Sequence, residues 1–189
     1  MLGVRERRLL ERLGVGHRDV GAGHALDRCV EPVEGLLLDQ RGEVPDNGGP
    51  MRFGEAAIRR EGTDVTIVGI SRMAVTAGKA ADILASEHEI EAEVIDPRTL
   101  RPLDLDTILA SVRKTNRAVI VEEGWPHGGV GANLSTLITE QAFDHLDAPV
   151  QRVTGADVPM PYSKRLEQAA IPHEEHVVKA ALATLEGSI

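Results

Sequence analysis

The amino-acid sequence predicts a three-layer α/β/α domain whose sheet is mostly parallel and covered by helices on both faces. Two observations lead to this fold class. Short β-branched, apolar runs alternate with segments whose apolar residues recur at helical spacing, which requires crossover connections between parallel strands. Aromatic residues make up only 2% of the chain, so the core must consist of Ala, Val, Ile and Leu, which suit helices packed on a sheet.

The chain is predicted to divide near residue 50. Residues 1–50 are rich in Gly and Arg, show little periodicity and end in a cluster of Pro, Asp, Asn and Gly at 45–50. This composition is typical of an irregular arm or linker remnant. The α/β domain is expected to occupy residues 51–189.

Five strands are predicted, each from its own pattern. The run 64–70 is apolar enough to be buried on both faces. Pro97 ends the predicted strand 92–96. The segment 56–60 is short and polar enough for an edge. In chain order the predicted strands are 56–60, 64–70, 92–96, 118–122 and 149–154.

Four helices are predicted between and after these strands, at 74–87, 103–112, about 130–145 and about 174–185. Asp104 or Asp106 is expected to cap the second helix. The sequence His-Glu-Glu-His at 173–176 has its histidines three residues apart, whereas the zinc-protease pattern needs four, so it is interpreted as an acidic first helical turn.

Composition excludes several classes of function. The formal net charge of −9 argues against a general nucleic-acid binder, which needs a basic face. Cys29 is the only cysteine, which rules out an intrachain disulfide or a multi-cysteine metal site. No apolar run approaches the length of a membrane span, and the N-terminus lacks the apolar core of a signal peptide. We therefore expect a cytoplasmic protein with no nucleic-acid or membrane partner.

Two features follow the predicted strand 118–122. Gly128, Gly129 and Gly131 could bind an anion at the start of the next helix, or could simply allow a tight turn and a close helix. A dinucleotide fingerprint would place a third glycine at 134, where the chain has Leu134. Glu122 and Glu123 could act in acid–base chemistry, but neighbours on a strand point opposite ways, which favours a structural or interface role.

Several sequence strings, taken together, resemble one enzyme family. They are EVIDPRTLRPLD at 93–104, EGWP at 123–126, and RVTGADVPMPY at 152–162. These strings look like the C-terminal domain of the β subunit in the decarboxylating component of pyruvate dehydrogenase complexes, over roughly residues 42–186. The resemblance implies the transketolase C-terminal fold, a five-stranded sheet with one antiparallel edge strand, for which 57–60 is the candidate. Both the pyruvate and the acetoin branches of the family fit.

The resemblance also implies where catalysis resides. In the family, a pyrimidine-binding domain ahead of this one supplies the glutamate that activates thiamine diphosphate, and the α subunit holds the diphosphate and magnesium. Residues 1–30 do not resemble that domain. We therefore expect no catalytic, cofactor-binding or metal-binding residue in this chain, and no activity from the chain alone.

What the resemblance leaves to this domain is assembly. The expected partners are a second copy in a homodimer, an α subunit in a heterotetramer, and the subunit-binding domain of the acyltransferase. These roles are assigned to two loops rich in Pro and aromatic residues. The candidate interface residues are Glu123, Trp125, Pro126, His127, Asp157, Pro159, Pro161 and Tyr162. A free-standing regulatory or assembly module and a fragment of an acetoin dehydrogenase β subunit remain as alternatives, as does a nucleotide-binding protein that would use the glycine turn.

Overall fold

A computed structural model describes residues 52–187. The predicted N-terminal arm, residues 1–50, lies outside the described residues. The strands are β1 (Ala57–Arg60), β2 (Val65–Gly69), β3 (Ala92–Asp96), β4 (Ala118–Val121) and β5 (Gln151–Val153). The helices are α1 (Met73–His88), α2 (Leu105–Thr115), α3 (Val130–Ala142), α4 (Lys164–Ala170) and α5 (Glu174–Leu185), with a 3₁₀ turn at Phe143–His145.

The five strands form one sheet in the order β1-β3-β2-β4-β5. Strands β2 to β5 run parallel, with Ile67 opposite Val94 on one side and Val119 on the other. Strand β1 pairs antiparallel with β3 through Ile58 and Ile95. The predicted fold class is confirmed, including the antiparallel edge strand at 57–60.

Helices cover both faces of the sheet and form two cores. On one face, α1 and α5 pack on alternate strand residues such as Val65, Ile67 and Val119. On the other, α2 and α3 pack on the intervening residues, such as Val68 and Ile120. Every residue of β2 and β4 is buried, as expected for central parallel strands that are apolar on both sides.

The ends of two helices agree with the sequence. Asp104 caps α2, because its Oδ1 accepts a hydrogen bond from the backbone N–H of Thr107 at 3.1 Å. Its Oδ2 accepts another from the N–H of Ala56 at 2.8 Å, which ties the helix to the segment before β1. Helix α5 begins at Glu174 with an acidic first turn. The backbone N–H of His173 donates to Nδ1 of His176 at 3.0 Å, so these two histidines form a helix cap.

Helix α4 was not predicted, and its burial explains why. Of its seven residues only Ala170 is buried, so the segment carries no apolar stripe facing the core. The predicted helix 130–145 also ends earlier, because residues 143–145 form a 3₁₀ turn. Within residues 52–187 no helix is long and apolar enough to cross a membrane.

Candidate functional site

The four parallel strands end at one edge of the sheet, here called the carboxyl edge. The strand order reverses beside β2. The chain passes from β2 to β3 on one side of it, and then crosses from β3 to β4 on its other side. Open α/β sheets place functional groups outside this point of reversal. The segments that follow β4 and β5 at this edge contain the candidate interface residues and the glycine turn that the sequence singled out.

Glu122 is buried at the end of β4, with 4% of its surface exposed. Its Oε2 accepts a hydrogen bond from the backbone N–H of Gly131, in the first turn of α3, at 3.0 Å. Its Oε1 accepts one from Nη2 of Arg152, on the neighbouring strand, at 2.9 Å. The same Nη2 donates to the carbonyl of Pro126 at 3.0 Å, so one guanidinium fixes both the carboxylate and the loop after it.

The position beside Gly129 and Gly131 is occupied by the chain's own Glu122 carboxylate, to which the N–H of Gly131 donates. A Cβ atom on Gly129 would lie 2.6 Å from Glu122 Oε2, and one on Gly131 would also clash with this carboxylate. Gly128 has a φ of 71°, a left-handed conformation that favours glycine. Leu134, where a dinucleotide site would need glycine, is a buried core residue. This arrangement does not support the nucleotide-binding alternative, because Glu122 occupies the position next to the helix N-terminus.

Glu123 points to the opposite face of the sheet. Its Oε1 lies 3.6 Å from Nη1 of Arg72, which immediately precedes α1, while Glu122 contacts α3. The side chains of Glu123 and Arg72 are 32% and 48% exposed. The two adjacent carboxylates therefore do not form a catalytic pair: one holds a helix and the other joins the ends of β2 and β4 at the surface.

The loops after β4 and β5 share a common base. The N–H of Gly155 donates to the carbonyl of Gly124 at 2.9 Å. A Cβ on Gly155 would clash with the carbonyl of Glu123, so glycine is required for this close approach. The N–H of Ala156 donates to the carbonyl of Ala170 at 2.8 Å, which fixes the end of α4 to the same base. Residues 123–129 and 154–170 are together called the loop surface below.

The loop surface exposes most of its apolar side chains. Trp125 is 54% exposed, Met160 is 55% exposed, and Tyr162 is fully exposed. Of the other predicted interface residues, His127, Asp157 and Pro159 are exposed, whereas Glu123, Pro126 and Pro161 are half-buried. Large apolar side chains concentrated on one exposed segment are typical of a protein interface.

Sequence reasoning missed three contributors to this surface. Leu166, on α4, is 58% exposed, and no apolar periodicity marked its segment as a helix. Arg152 and Arg72 are single basic residues in unremarkable sequence contexts, and only the packing of β4 between β2 and β5 brings them to Glu122 and Glu123. The strand register could have suggested Arg152, since it pairs with a residue two positions before Glu122.

A second polar cluster lies at the opposite edge, near the amino ends of β2 and β3. Glu93 is 1% exposed and pairs with Lys114 of α2. Burial alone would raise the pKa of Glu93, but hydrogen bonds from Lys114 and Ser111 outweigh it and lower this pKa below its ordinary value. Glu93 raises the pKa of Lys114 in turn. The cluster ties α2 to the sheet and lies away from the edge where such sheets bind ligands.

No group of three or more His, Cys, Asp or Glu side chains within residues 52–187 has the arrangement of a metal site. The buried acidic side chains of this part of the chain are Glu93 and Glu122, and each is held by a cation. At the carboxyl edge the one buried carboxyl group of residues 52–187 is thus paired with Arg152, and what the geometry presents there is an apolar contact surface.

Comparison with known proteins agrees with this fold. The family model described as "Transketolase, C-terminal domain" matches residues 54–177. Among solved structures, a split-gene transketolase, described as an inactive β4 tetramer, superposes with a TM-score of 0.63 at 31% identity. That superposition covers 79% of this chain and 48% of that chain.

The similar curated proteins are β subunits of the pyruvate dehydrogenase E1 component. The mitochondrial protein of Dictyostelium discoideum is 55% identical over 68% of this chain and 36% of its own length. The Rickettsia felis protein is 50% identical over 77% of this chain and 44% of its own length. The mitochondrial protein of Pisum sativum is 55% identical over 74% and 38%. The chain thus spans less than half the length of these relatives. Two of them are named as mitochondrial proteins, and the cytoplasmic location predicted for this chain stays a prediction.

Proposed function

The chain belongs to the transketolase C-terminal domain family, and from this membership we propose that it serves as the C-terminal domain of a pyruvate dehydrogenase β subunit. The observation that carries the proposal is the identity of 50–55% with pyruvate dehydrogenase β subunits over at least 68% of the chain. All three of these relatives are named for pyruvate, which favours pyruvate over acetoin as the substrate of the complete enzyme.

The proposed role of the domain is assembly. Its support is the loop surface, where Trp125, Met160 and Tyr162 stand exposed on loops whose bases are fixed by hydrogen bonds. Rigid loops lose little conformational entropy on binding, so apolar side chains on them are efficient anchors. Within residues 52–187, helix α4 is buried only at Ala170, so its other side chains are available to a partner.

The proposed first partner is a second copy of the chain. The similar split-gene transketolase structure is described as a β4 tetramer, which supports self-association of a related chain. An α subunit and the subunit-binding domain of the acyltransferase are proposed as further partners at the loop surface. A complex with these partners would place the domain in a 2-oxo acid dehydrogenase complex.

Decarboxylation is proposed to need groups beyond the described residues. Thiamine diphosphate and magnesium would be held by other parts of the complete enzyme, and the cofactor would supply the carbanion chemistry. Two observations support this. The similar split-gene transketolase structure is described as an inactive β4 tetramer, and the two buried glutamates of residues 52–187 are both paired with cations. In an assay that follows reduction of an artificial electron-acceptor dye, the pure chain with pyruvate, thiamine diphosphate and magnesium should show no rate above background. A steady rate of dye reduction would overturn this part of the proposal.

The assembly role is tested by size-exclusion chromatography with light scattering on the full chain, alone and with a pyruvate dehydrogenase α subunit. A double variant, Trp125→Ala with Tyr162→Ala, should weaken association about a hundredfold, since each aromatic anchor contributes on the order of 1–2 kcal/mol. The matched control is Phe53→Ala with Phe143→Ala, which truncates two exposed aromatic side chains outside the loop surface and should leave association unchanged. The proposal is contradicted if the chain stays monomeric at about 100 µM and binds no α subunit. This concentration is about a hundred times a micromolar Kd.

A further inference from the structure

A groove of about 430 Å³ lies between α1 and α5, on the outer side of the layer that these two helices form. The two helices run in the same direction, because earlier residues of α1 lie beside earlier residues of α5 and later residues beside later ones. Nζ of Lys79, in the second turn of α1, lies 3.3 Å from Oε1 of Glu174, the first residue of α5. The groove then follows Ile83 and Glu87 on α1 beside Leu182 and Glu186 at the end of α5. This face is separate from the loop surface and has no part in the function proposed above.

The floor of the groove is apolar. Ile83 and Leu182 pack against the core cluster but remain half-buried, and Val178 lies between them. Ala183 adds a small side chain that leaves space along the groove. A half-buried apolar strip of this kind gains free energy if a partner covers it, at about 25 cal/mol per Å² of apolar surface.

The rim of the groove is acidic. Glu87, Glu175 and Glu186 are exposed there, and Lys179 is the single cation among the lining residues. Within residues 52–187 none of these three glutamates takes part in an ion pair, whereas the nearby Asp82 and Glu174 are each paired with a cation. Three carboxylates against one lysine leave the rim with a net negative charge, so the groove is electrostatically complementary to a cationic ligand.

The occupant's secondary structure follows from the groove's walls. Both walls are α-helices whose backbone groups are satisfied within each helix, so the groove offers no backbone partner to an extended strand. A peptide that covers the apolar floor must therefore satisfy its own N–H and C=O groups, which a helix does. From Glu175 to Glu186 helix α5 rises about 17 Å, the length of roughly three helical turns.

We propose that the α1–α5 groove is a docking site for a basic amphipathic helix of about three turns, supplied by another protein. Its apolar side chains, spaced i, i+3/i+4 and i+7, contact Ile83, Val178 and Leu182. Its Lys or Arg side chains flank that face and reach the three glutamates of the rim. The partner is thus defined by its chemistry, a cationic helix with an apolar stripe.

The test uses the full chain and a fluorescent synthetic helix, amidated and acetylated, with Leu along one stripe and Arg on both flanks. Fluorescence anisotropy gives its Kd. Replacing the rim by Glu87→Gln, Glu175→Gln and Glu186→Gln should raise this Kd about tenfold, because each partly exposed ion pair contributes on the order of 0.5 kcal/mol. The matched control removes three exposed acids elsewhere, by Glu140→Gln, Asp144→Asn and Glu167→Gln, and should change the Kd less than twofold.

A second variant tests the floor without touching the core. Ala183→Arg fills the groove from a half-buried position and adds a positive charge, so it should abolish binding while the melting temperature stays within a few degrees of the parent. The proposal is overturned if the rim and control variants bind equally, if Ala183→Arg binds as tightly as the parent, or if a peptide with Glu in place of Arg binds as well. Light scattering that shows the groove joining two copies of the chain, disrupted by Ala183→Arg, would also overturn it.

Discussion

Replacing Glu122 by Gln should destabilise the domain by about 3 kcal/mol. The carboxylate accepts hydrogen bonds on two sides, from the N–H of Gly131 at 3.0 Å and from Arg152 at 2.9 Å. A glutamine amide has one acceptor oxygen, so its NH₂ group must face one of these two donors. The loss of a hydrogen bond to a charged group costs about 1.5–3 kcal/mol, and Arg152, which is 24% exposed, also loses its counter-ion.

The assay is urea unfolding at 25 °C and pH 7, followed by circular dichroism, with thermal melting alongside. For a domain of this size a loss of 3 kcal/mol corresponds to a fall in Tm of about 10 °C. The matched control is Glu123→Gln, one residue away. Its pair with Arg72 is 3.6 Å long and exposed, so we expect a cost of less than about 0.5 kcal/mol.

A double-mutant cycle separates the ion pair from general disruption. Arg152→Met removes the cation that Glu122→Gln leaves unpaired, so the double variant should be more stable than the sum of the single effects by about 1–2 kcal/mol. Gly131→Ala should imitate Glu122→Gln, because its Cβ would displace the carboxylate. If Glu122→Gln and Glu123→Gln cost the same within 0.5 kcal/mol, which is about the level of one exposed pair, the reasoning about this carboxylate is refuted.

Two further predictions concern groups with shifted pKa values. Lys114→Met should lower the free energy of unfolding in urea by about 2–3 kcal/mol, because it leaves the buried carboxylate of Glu93 unpaired. The control Lys179→Met removes a lysine that forms no ion pair within the described residues, and it should lower this free energy by less than about 0.5 kcal/mol. Burial tends to raise the pKa values of Glu93 and Asp104, but hydrogen bonds lower both below the ordinary values of 4.5 and 3.8. Their stabilisation is therefore present above those values and lost as the pH falls through the lower folded-state pKa values. The urea concentration at the unfolding midpoint should therefore be constant from pH 7 to about 5 and should decrease once the pH is lower than about 4.5. This decrease should be less steep in Asp104→Asn. A midpoint that does not change with pH down to about 3 would contradict both assignments.

The parts of the fold that the sequence predicted are those determined by burial. The residues of β2 are buried on both faces because helices cover both, and the apolar stripe of α2 faces one core. Asp104 was predictable as a cap because its hydrogen bond spans three residues of local sequence. Helix α4 was missed because all its residues except Ala170 are exposed, so nothing within residues 52–187 imposes a period on them. The sequence cannot distinguish such a segment from a loop.

The candidate site shows the same limit at longer range. A glycine turn after a strand is compatible with an anion at a helix N-terminus and equally with a tight turn that brings the helix close to the sheet, and the sequence left both interpretations open for Gly129 and Gly131. Which anion is bound depends on Arg152, thirty residues beyond Glu122, and on the register that sets β5 beside β4. An internal carboxylate and an external phosphate require the same glycines, because both need close approach to the same backbone. They differ in what lies behind the turn. An internal carboxylate needs a cation on a neighbouring strand, and here Arg152 supplies it while also fixing the loop that carries Trp125. The charge that would have attracted a ligand instead holds the proposed contact surface in place.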